Sequence, residues 1–469
     1  MAESIQLAVI GAGPAGLGAA IEAAELGLPV TLIDAAPLPG GQVYKQTPLA
    51  FRATPEKNGR RLLDRLDRAE VRLLMDTLVW GIFAEPDGHL LCLHGPAGTP
   101  RRLLAQRVIL APGAHDRPLP FPGWTLPGVM TAGAALNLVK HQRVLPGRRI
   151  LLSGTGPLQL VLAGHLIDAG AELVGILDLN GFPKSGWRHL GTVWGQWERL
   201  GEGWRAWRTL RSAGKRIRWG HTVFQAQGDG QVERAVIGPL DGSRPQVVNA
   251  DVICLGYGFT PATQLSHQIG CEHRYQADQR ATIPIRDAWL QTTVKGFFVA
   301  GDGAGIGGKD TAYNEGRLAA LGAARTLGQE IERDRISQVR RELARQQRFA
   351  NALSALFPQP SWGDDLLTDD TILCRCEEVT VADIRRVIDE GANTVSAIRR
   401  LTRAGMGRCQ GRMCGRPVGA LLARQLGRPM EEIAYATPRP PIMPVPIDGL
   451  LEVDPRLAEF APARDPAGG

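Results

Sequence analysis

Residues 5 to 10, IQLAVI, form a short apolar run that ends on GAGPAG, which sets Gly11, Gly13 and Gly16 in G-x-G-x-x-G spacing. LGAAIEAAELG then carries a helical pattern to Gly27, and PVTLIDA reads as a second strand closing on Asp34, 23 residues after the first glycine. Strand, tight turn, helix and strand leave the chain little choice: they make a βαβ unit that buries its helix against a parallel sheet. Gly11 permits the turn, Gly13 lets backbone approach a pyrophosphate, and Gly16 lets helix and strand pack closely. Free N–H groups at the helix start, where Pro14 and Ala15 stand, face the phosphates, and Asp34 can accept a hydrogen bond from a ribose hydroxyl. A dinucleotide-binding unit is the reading.

Two later stretches point to a flavin. TTVKGFFVAGDGAG, residues 292 to 305, runs as a strand into Gly301 and Asp302 and resembles the distal motif of two-dinucleotide-domain flavoproteins, whose Asp contacts the ribityl chain. PGGQVY, with Gly40, Gly41 and Gln42, resembles the turn that meets the flavin side of FAD in that group. The expected fold is α/β, a Rossmann-like two-dinucleotide-binding-domain flavoprotein of the pyridine nucleotide-disulfide reductase type, with FAD as ligand.

Between these stretches lies RRILLSGTGPLQLVLAGHLIDAGAELVGILD, residues 148 to 178, again strand, turn, helix and strand. Gly154 and Gly156 fill the first two glycine positions, but Gln159 holds the third, where a bulky side chain separates helix from strand. The fold survives this better than NAD(P)H binding does. No C-x-x-C follows either fingerprint, so a catalytic disulfide is missing. Cys92, Cys254 and Cys271 stand alone and read as small buried apolar residues.

With 469 residues the chain is long enough for several domains. A net charge of +7 without a lysine-rich tail argues against nucleic acid as partner. No apolar run reaches the roughly 20 residues that span a bilayer. The N-terminus lacks a basic leader, so a cytoplasmic location is expected. Trp187, Trp194, Trp197, Trp204 and Trp207 step by seven, three, seven and three, which gathers them on one side of a helix, either packed into its own domain or offered to a partner.

Four of the seven cysteines collect near the end of the chain, Cys374 and Cys376 in LCRCEE, then Cys409 and Cys414 in GMGRCQGRMC. TVADIRRVIDEGANTVSAIRRLTRAG between them reads as two short helices, the first capped by Thr380, that return the chain so that four thiolates converge. Such a set suits tetrahedral zinc or a [2Fe–2S] cluster. The single-residue C-R-C spacing is less natural for zinc. Gly405, Gly407 and Gly411 let amides turn toward sulfur, and Arg375, Arg408 and Arg412 can offset negative charge.

VIGAGPAG, PGAHDRPLPFPGWTLPGVM, GTGPL, GYGFTPATQL, VAGD, CRCEEVT and RAGMGRCQGRMC together resemble the FAD-containing subunit shared by bacterial hydrogen cyanide synthase, opine oxidases and D-hydroxyproline dehydrogenases, from residue 5 to about 446. The resemblance implies a small C-terminal helical domain of the bacterioferritin-associated-ferredoxin type, with Cys374, Cys376, Cys409 and Cys414 as [2Fe–2S] ligands. It implies a heteromer: a second flavin subunit, like D-amino acid and sarcosine oxidases, oxidises the C–N bond of an opine, D-hydroxyproline or glycine. This chain, itself without a catalytic base, passes the electrons on. FMN at the subunit boundary, a small ferredoxin-like subunit, and membrane association through electron acceptors belong to the same expectation. The divisions expected are an FAD domain of residues 1–117 and 250–328, an inserted dinucleotide-like domain 118–249, a helical linker 329–365, the cluster domain 366–440 and a Pro-rich tail 441–469.

Overall fold

The computed structural model describes residues 2–46, 57–182, 197–359, 366–433 and 435–451. Its first sheet is built on the strand Glu3–Ile10 (β1), followed by the helix Pro14–Glu25 (α1) and the strand Val30–Ile33 (β2). The sheet continues through Val71–Leu74 (β3), Leu78–Glu85 (β4), Gly88–His94 (β5) and Arg102–Leu110 (β6). Its order is β3-β2-β1-β6-β5-β4, with Phe297–Val299 beside β6. Pairing is parallel around β1 and antiparallel along β4, β5 and β6.

Small residues let α1 sink fully into the fold, where it crosses the helix Lys309–Thr326. A methyl group on Gly18 would lie 2.3 Å from Tyr313 O, and one on Gly316 would lie 1.8 Å from Ala15 O. The two backbones therefore approach more closely than any larger residue allows. Glu22, 1% exposed on α1, is held by Arg317 Nε at 2.7 Å and Arg335 Nε at 2.5 Å, the latter from the long helix Arg333–Leu356. Removing this carboxylate leaves Arg317 with Glu342 and Arg335 with Glu25 but empties a buried acceptor between them, so Glu22→Ala is expected to cost about 2 kcal/mol. A lowered denaturant midpoint with an unchanged slope would register it.

The second sheet is parallel throughout, in the order Ile217–Trp219, Glu172–Asp178, Arg149–Gly154, Val252–Gly256 and Val129–Thr131. This moves one expected boundary: residues 252 to 256 belong to the inserted sheet, and the chain returns to the first unit only at Phe259–Pro261, which pairs with Ala114–Asp116. An apolar run specifies burial; it does not specify which sheet buries it.

In the C-terminal part, Thr380 opens the helix Val381–Asp389 with a capping box to Asp383, and Thr394 caps Val395–Thr402. These helices and Gly415–Leu426 close over Leu373, Ile384, Ile398 and Leu422. Trp124 Nε1 donates to Ile372 O at 2.6 Å and fastens this part to the inserted unit. The segment beyond it lies along β4, the sheet's edge strand, with Ile442 N donating to Trp80 O at 2.9 Å, which covers an otherwise unpaired edge.

Of the tryptophan stripe, Trp187 and Trp194 lie outside the described residues. Trp204 and Trp207, on the helix Trp197–Ser212, face solvent, with the guanidinium groups of Arg208 and Arg211 over their rings at 4.8 and 5.2 Å. They are therefore not packed into the core. No described helix is long and apolar enough to cross a membrane.

Candidate functional site

The first glycine turn is shaped as its spacing requires. Gly11 adopts φ +101, and a methyl group there would fall 2.2 Å from Ala111 O. One on Gly16 would fall 1.6 Å from Gly11 O. Asp34 closes the turn from the end of β2: Oδ2 accepts from Ala12 N at 2.5 Å and Oδ1 from Ala36 N at 2.7 Å. Gly40 N donates to Ala12 O at 2.8 Å, and Gly41 packs so tightly on Gly13 that a methyl group would meet its Cα at 2.6 Å. Gln42 Oε1 accepts from Asn137 Nδ2 at 3.0 Å, tying this loop to the inserted unit.

From the other end of the chain, Gly301 abuts Ala15, its added methyl group only 2.7 Å from Ala15 Cβ. Asp302 Oδ1 accepts from Gly307 N at 2.9 Å and Gly308 N at 3.1 Å, while among the described residues Oδ2 has no donor and burial pushes the carboxyl up. Gly11, Gly13, Pro14, Ala15, Gly16, Gly41, Gly301 and Asp302 thus line one cradle, with Asp34 and Gln42 at its rim. A helix start without a side-chain cap and a carboxylate oxygen still open to a hydroxyl fit a pyrophosphate and a polyol chain. Sequence reasoning missed Glu315, whose Oε2 accepts from Gly301 N at 2.8 Å and from Arg286 Nη1 at 2.9 Å, holding the Gly301 turn. Its position inside an alanine-rich helix gives no signal of that task.

The second turn repeats the first in outline. Asp178 Oδ2 accepts from Gly156 N at 3.3 Å and Oδ1 from Asn180 N at 2.9 Å, as Asp34 does in the first unit. Here, however, the mouth is covered. Phe357 Cβ stands 3.8 Å from where a methyl group on Gly156 would be, Pro358 O accepts from Asn180 Nδ2 at 3.2 Å, and Gln359 packs on Gly258. Gln159 is 4% exposed and neither of its amide atoms has a partner. A pyrophosphate at this turn would have to displace residues 357 to 359.

Burial pushes the Asp178 carboxyl up to about 6. Between about pH 4 and pH 6 the folded chain keeps a proton that the unfolded chain releases, so stability falls as pH rises through that window, by about 3 kcal/mol in all. Asp178→Asn keeps one of the two acceptor oxygens, cannot titrate, and is expected to flatten this dependence in urea titrations at pH 4, 5, 6 and 7.

The four terminal cysteines come together as two neighbouring pairs. Cys374 and Cys414, each 1% exposed, share a hydrogen bond that holds the Cys374 thiol down to about 5 and pushes Cys414 up; Gly405 N also donates to Cys374 Sγ at 3.4 Å. Cys376 pairs with Cys409 nearer the surface and is pushed up, first by burial and then by that neighbour. Gly405, Gln410 and Gly411 adopt positive φ of 84, 52 and 82, turning the loop around the sulfurs, and a methyl group on Gly407 would meet Cys376 Cβ at 2.4 Å. As placed, no three His, Cys, Asp or Glu side chains among the described residues surround one point closely enough to hold a metal ion. The expected quartet is therefore two adjacent pairs. Cys92, Cys254 and Cys271 are free and buried, as expected.

Arg412, half-buried beside Cys409, also bears on His115, whose neighbour Gly113 flanks Gly303 in the loop that follows Asp302. Arg375 donates to Thr125 O at 3.4 Å across the same junction. Arg416, two residues past Cys414, donates from Nε to Arg280 O at 3.1 Å, and the adjacent Gln279 Oε1 accepts from Ile306 N at 2.7 Å, which brings the cysteine domain to the loop that follows Asp302.

Residues 5–325 match the pyridine nucleotide-disulphide oxidoreductase family, and residues 370–451 match the sarcosine oxidase A3 domain. The chain is 33% identical to the HcnB subunit of hydrogen cyanide synthase from Pseudomonas aeruginosa, over 93% of this chain and 96% of that one. It is 34% identical to the opine oxidase A subunit of Rhizobium meliloti, over 95% of this chain and 98% of that one. Among solved structures, L-proline dehydrogenase from P. horikoshii superposes with a TM-score of 0.71 at 21% identity, covering 96% of this chain and 80% of that one, which speaks for the fold. A family model matched over residues 5–325 and relatives matched along nearly the whole length make this chain an oxidoreductase of the pyridine nucleotide-disulphide oxidoreductase family, related to HcnB and the opine oxidase A subunits.

Proposed function

We propose that the chain is the electron-transfer subunit of a heteromeric dehydrogenase acting on an amino or imino acid, of the opine, D-hydroxyproline or glycine class. FAD lies in the first cradle, and Cys374, Cys376, Cys409 and Cys414 hold a [2Fe–2S] cluster. A partner flavin subunit of the D-amino acid or sarcosine oxidase type oxidises the C–N bond. The observation that carries the reading is the reach of the cysteine domain to the Asp302 end of the cradle: Arg416, two residues past Cys414, donates from Nε to Arg280 O at 3.1 Å, and the adjacent Gln279 Oε1 accepts from Ile306 N at 2.7 Å in the loop that follows Asp302. Relatives whose names describe them as subunits of opine oxidase, hydrogen cyanide synthase and sarcosine oxidase support it. FMN at the boundary with the partner and a small ferredoxin-like subunit belong to the same proposal.

Four thiols on adjacent loops are the donor set that a [2Fe–2S] cluster takes, with Gly405 N donating to Cys374 Sγ; the two pairs would have to close round one centre to hold it. When bound, FAD accepts an electron pair and the cluster takes electrons singly. The chain's own residues bind and orient. The free start of α1 meets the pyrophosphate, Asp302 Oδ2 takes a ribityl hydroxyl, and Glu315 holds Gly301 against Ala15. Arg412 lies beside Cys409 as a counter-charge, and Gly303 packs on Pro112 so closely that a methyl group there would meet its ring at 2.6 Å.

A stand-alone NAD(P)H reductase is disfavoured by Gln159 and by residues 357 to 359 over the second turn. The test is anaerobic purification with and without an oxidase-like partner subunit, followed by dye reduction over a panel of secondary amines and imino acids. Reduction that requires both subunits, with the lone chain yellow, rich in iron and sulfide, and unbleached by NADH or NADPH, is the expected result. Equal reduction by this chain alone overturns the heteromeric reading.

A further inference from the structure

The stretch from Gly391 to Met430 holds eight arginines and neither aspartate nor glutamate, and it carries Cys409 and Cys414. Its first half meets the exposed Cys376 through named contacts. Arg403, at the end of the helix Val395–Thr402, donates from Nε to Glu377 Oε2 at 2.8 Å, which ties that helix end to the loop of Cys376. Gly407 lies so close to the same loop that a methyl group there would meet Cys376 Cβ at 2.4 Å and Glu377 Oε1 at 2.9 Å. Between them Met406 N donates to Arg403 O at 2.9 Å, and Gln410 Nε2 donates to Met406 O at 3.1 Å. Helix end, glycine loop and Cys376 therefore form one continuous face.

Two large apolar side chains stand on that face, Leu401 at 60% exposed and Met406 at 37%. Arg400, Arg403 and Arg408 are exposed on the same stretch. Arg399 is spent within the domain, donating to Gly405 O at 3.1 Å. Among the described residues neither Arg400 nor Arg408 is in an ion pair. On the loop of Cys376, Glu377 is taken by Arg403, which leaves Glu378 against them. The surface beside the outer cysteine pair is thus apolar at its centre and cationic around it.

Apolar side chains ringed by charge are the anatomy of a protein contact, and methionine and arginine are both enriched in such contacts. A methionine also repacks readily against a changing neighbour. Cationic charge around the centre selects a partner with an acidic surface and speeds its approach. A second copy of this chain would set arginine against arginine. Two apolar side chains make a small centre, which suits the brief encounters of electron carriers, whose interfaces lie at the low end of the size range.

Resting on the cluster reading above, we infer that this face docks an acidic protein that carries electrons one at a time, through Leu401, Met406, Arg400, Arg403 and Arg408. One electron leaves the chain on the Cys376 side and one arrives on the carrier, with no bond formed or broken. The test is titration of the anaerobically purified full chain with an acidic plant-type [2Fe–2S] ferredoxin at low and at high ionic strength, with a basic c-type cytochrome as the opposite-charge control. Saturable ferredoxin binding is expected at low ionic strength and is lost at high, and the cytochrome stays unbound. Arg400→Glu and Leu401→Asp each weaken binding about tenfold or more, with iron, sulfide and flavin per chain at the parental level. Arg216→Glu, the same charge change on an exposed residue beside the strand Ile217–Trp219, binds as the parent does. Parental binding by both face variants, equal weakening by Arg216→Glu, or capture of phosphatidylglycerol vesicles in place of the ferredoxin would each overturn the inference. A parent chain without iron or sulfide defeats the cluster reading and this inference with it, whereas an iron-replete parent that leaves the ferredoxin unbound defeats this inference alone.

Discussion

A chain carrying Gly16→Val is expected to leave the column colourless. The first atom of the new side chain already collides with Gly11 O at 1.6 Å, and that oxygen belongs to the turn that must stay tight for a pyrophosphate to reach the start of α1. Overfilling a packed site typically costs about 1–3 kcal/mol, and here the atom in the way is backbone rather than a side chain that can swing aside. Each 1.4 kcal/mol is about a tenfold loss in affinity, so FAD retention should fall roughly a hundredfold or more. Gly164→Ala supplies the control: a methyl group there meets nothing within 4 Å, and the flavin absorbance per chain should match that of the parent.

The second large effect is expected at the cysteines. Cys409→Ser and Cys414→Ser each remove one member of a pair while leaving the helices that carry the loops, so flavin content should persist while iron and acid-labile sulfide disappear. Loss of an outer-shell partner to a metal typically costs about 10–100-fold in affinity or activity, and loss of a ligand should cost more, so partner-dependent dye reduction should drop by over about a hundredfold. Zinc in place of iron in the parent, or full iron content in either variant, would refute the cluster assignment. Because the FAD cradle and the cysteine loops are separate constructions, the Gly16 and Cys409 variants should fail in opposite ways, one losing yellow and the other losing iron.

What could be read from the residues was whatever the backbone dictates locally. The turn at Gly11, the strand ending at Asp34, and the caps at Thr380 and Thr394 each depend on a few consecutive residues, and the structure forms each as the spacing predicts. Where a residue's partner is distant in sequence, the pattern fell short. The apolar run Val252–Gly256 announces a buried strand, yet only the pairing with Arg149–Gly154 assigns it to the inserted sheet. The period of the tryptophans puts them on one side of a helix and says nothing of what that side faces; Trp204 and Trp207 face solvent under Arg208 and Arg211. Spacing brings the four thiols to one neighbourhood, but it does not give their division into Cys374 with Cys414 and Cys376 with Cys409. Nothing in the string FPQ marks residues 357 to 359 as a cover for the second turn.

That cover has a mechanical consequence. Gln359 is gripped by Arg117 and packs on Gly258, while Pro358 is gripped by Asn180, so a single short run of chain laces the first unit to the inserted one immediately before the cysteine domain starts. Trp124 and Arg375 add two further stitches on the domain itself. Among the described residues, a swing of the cysteine domain against the two other units would have to break these contacts. On the proposed electron path, charge would then cross from cradle to sulfur between parts held in register by these contacts, at a pace set by distance and driving force.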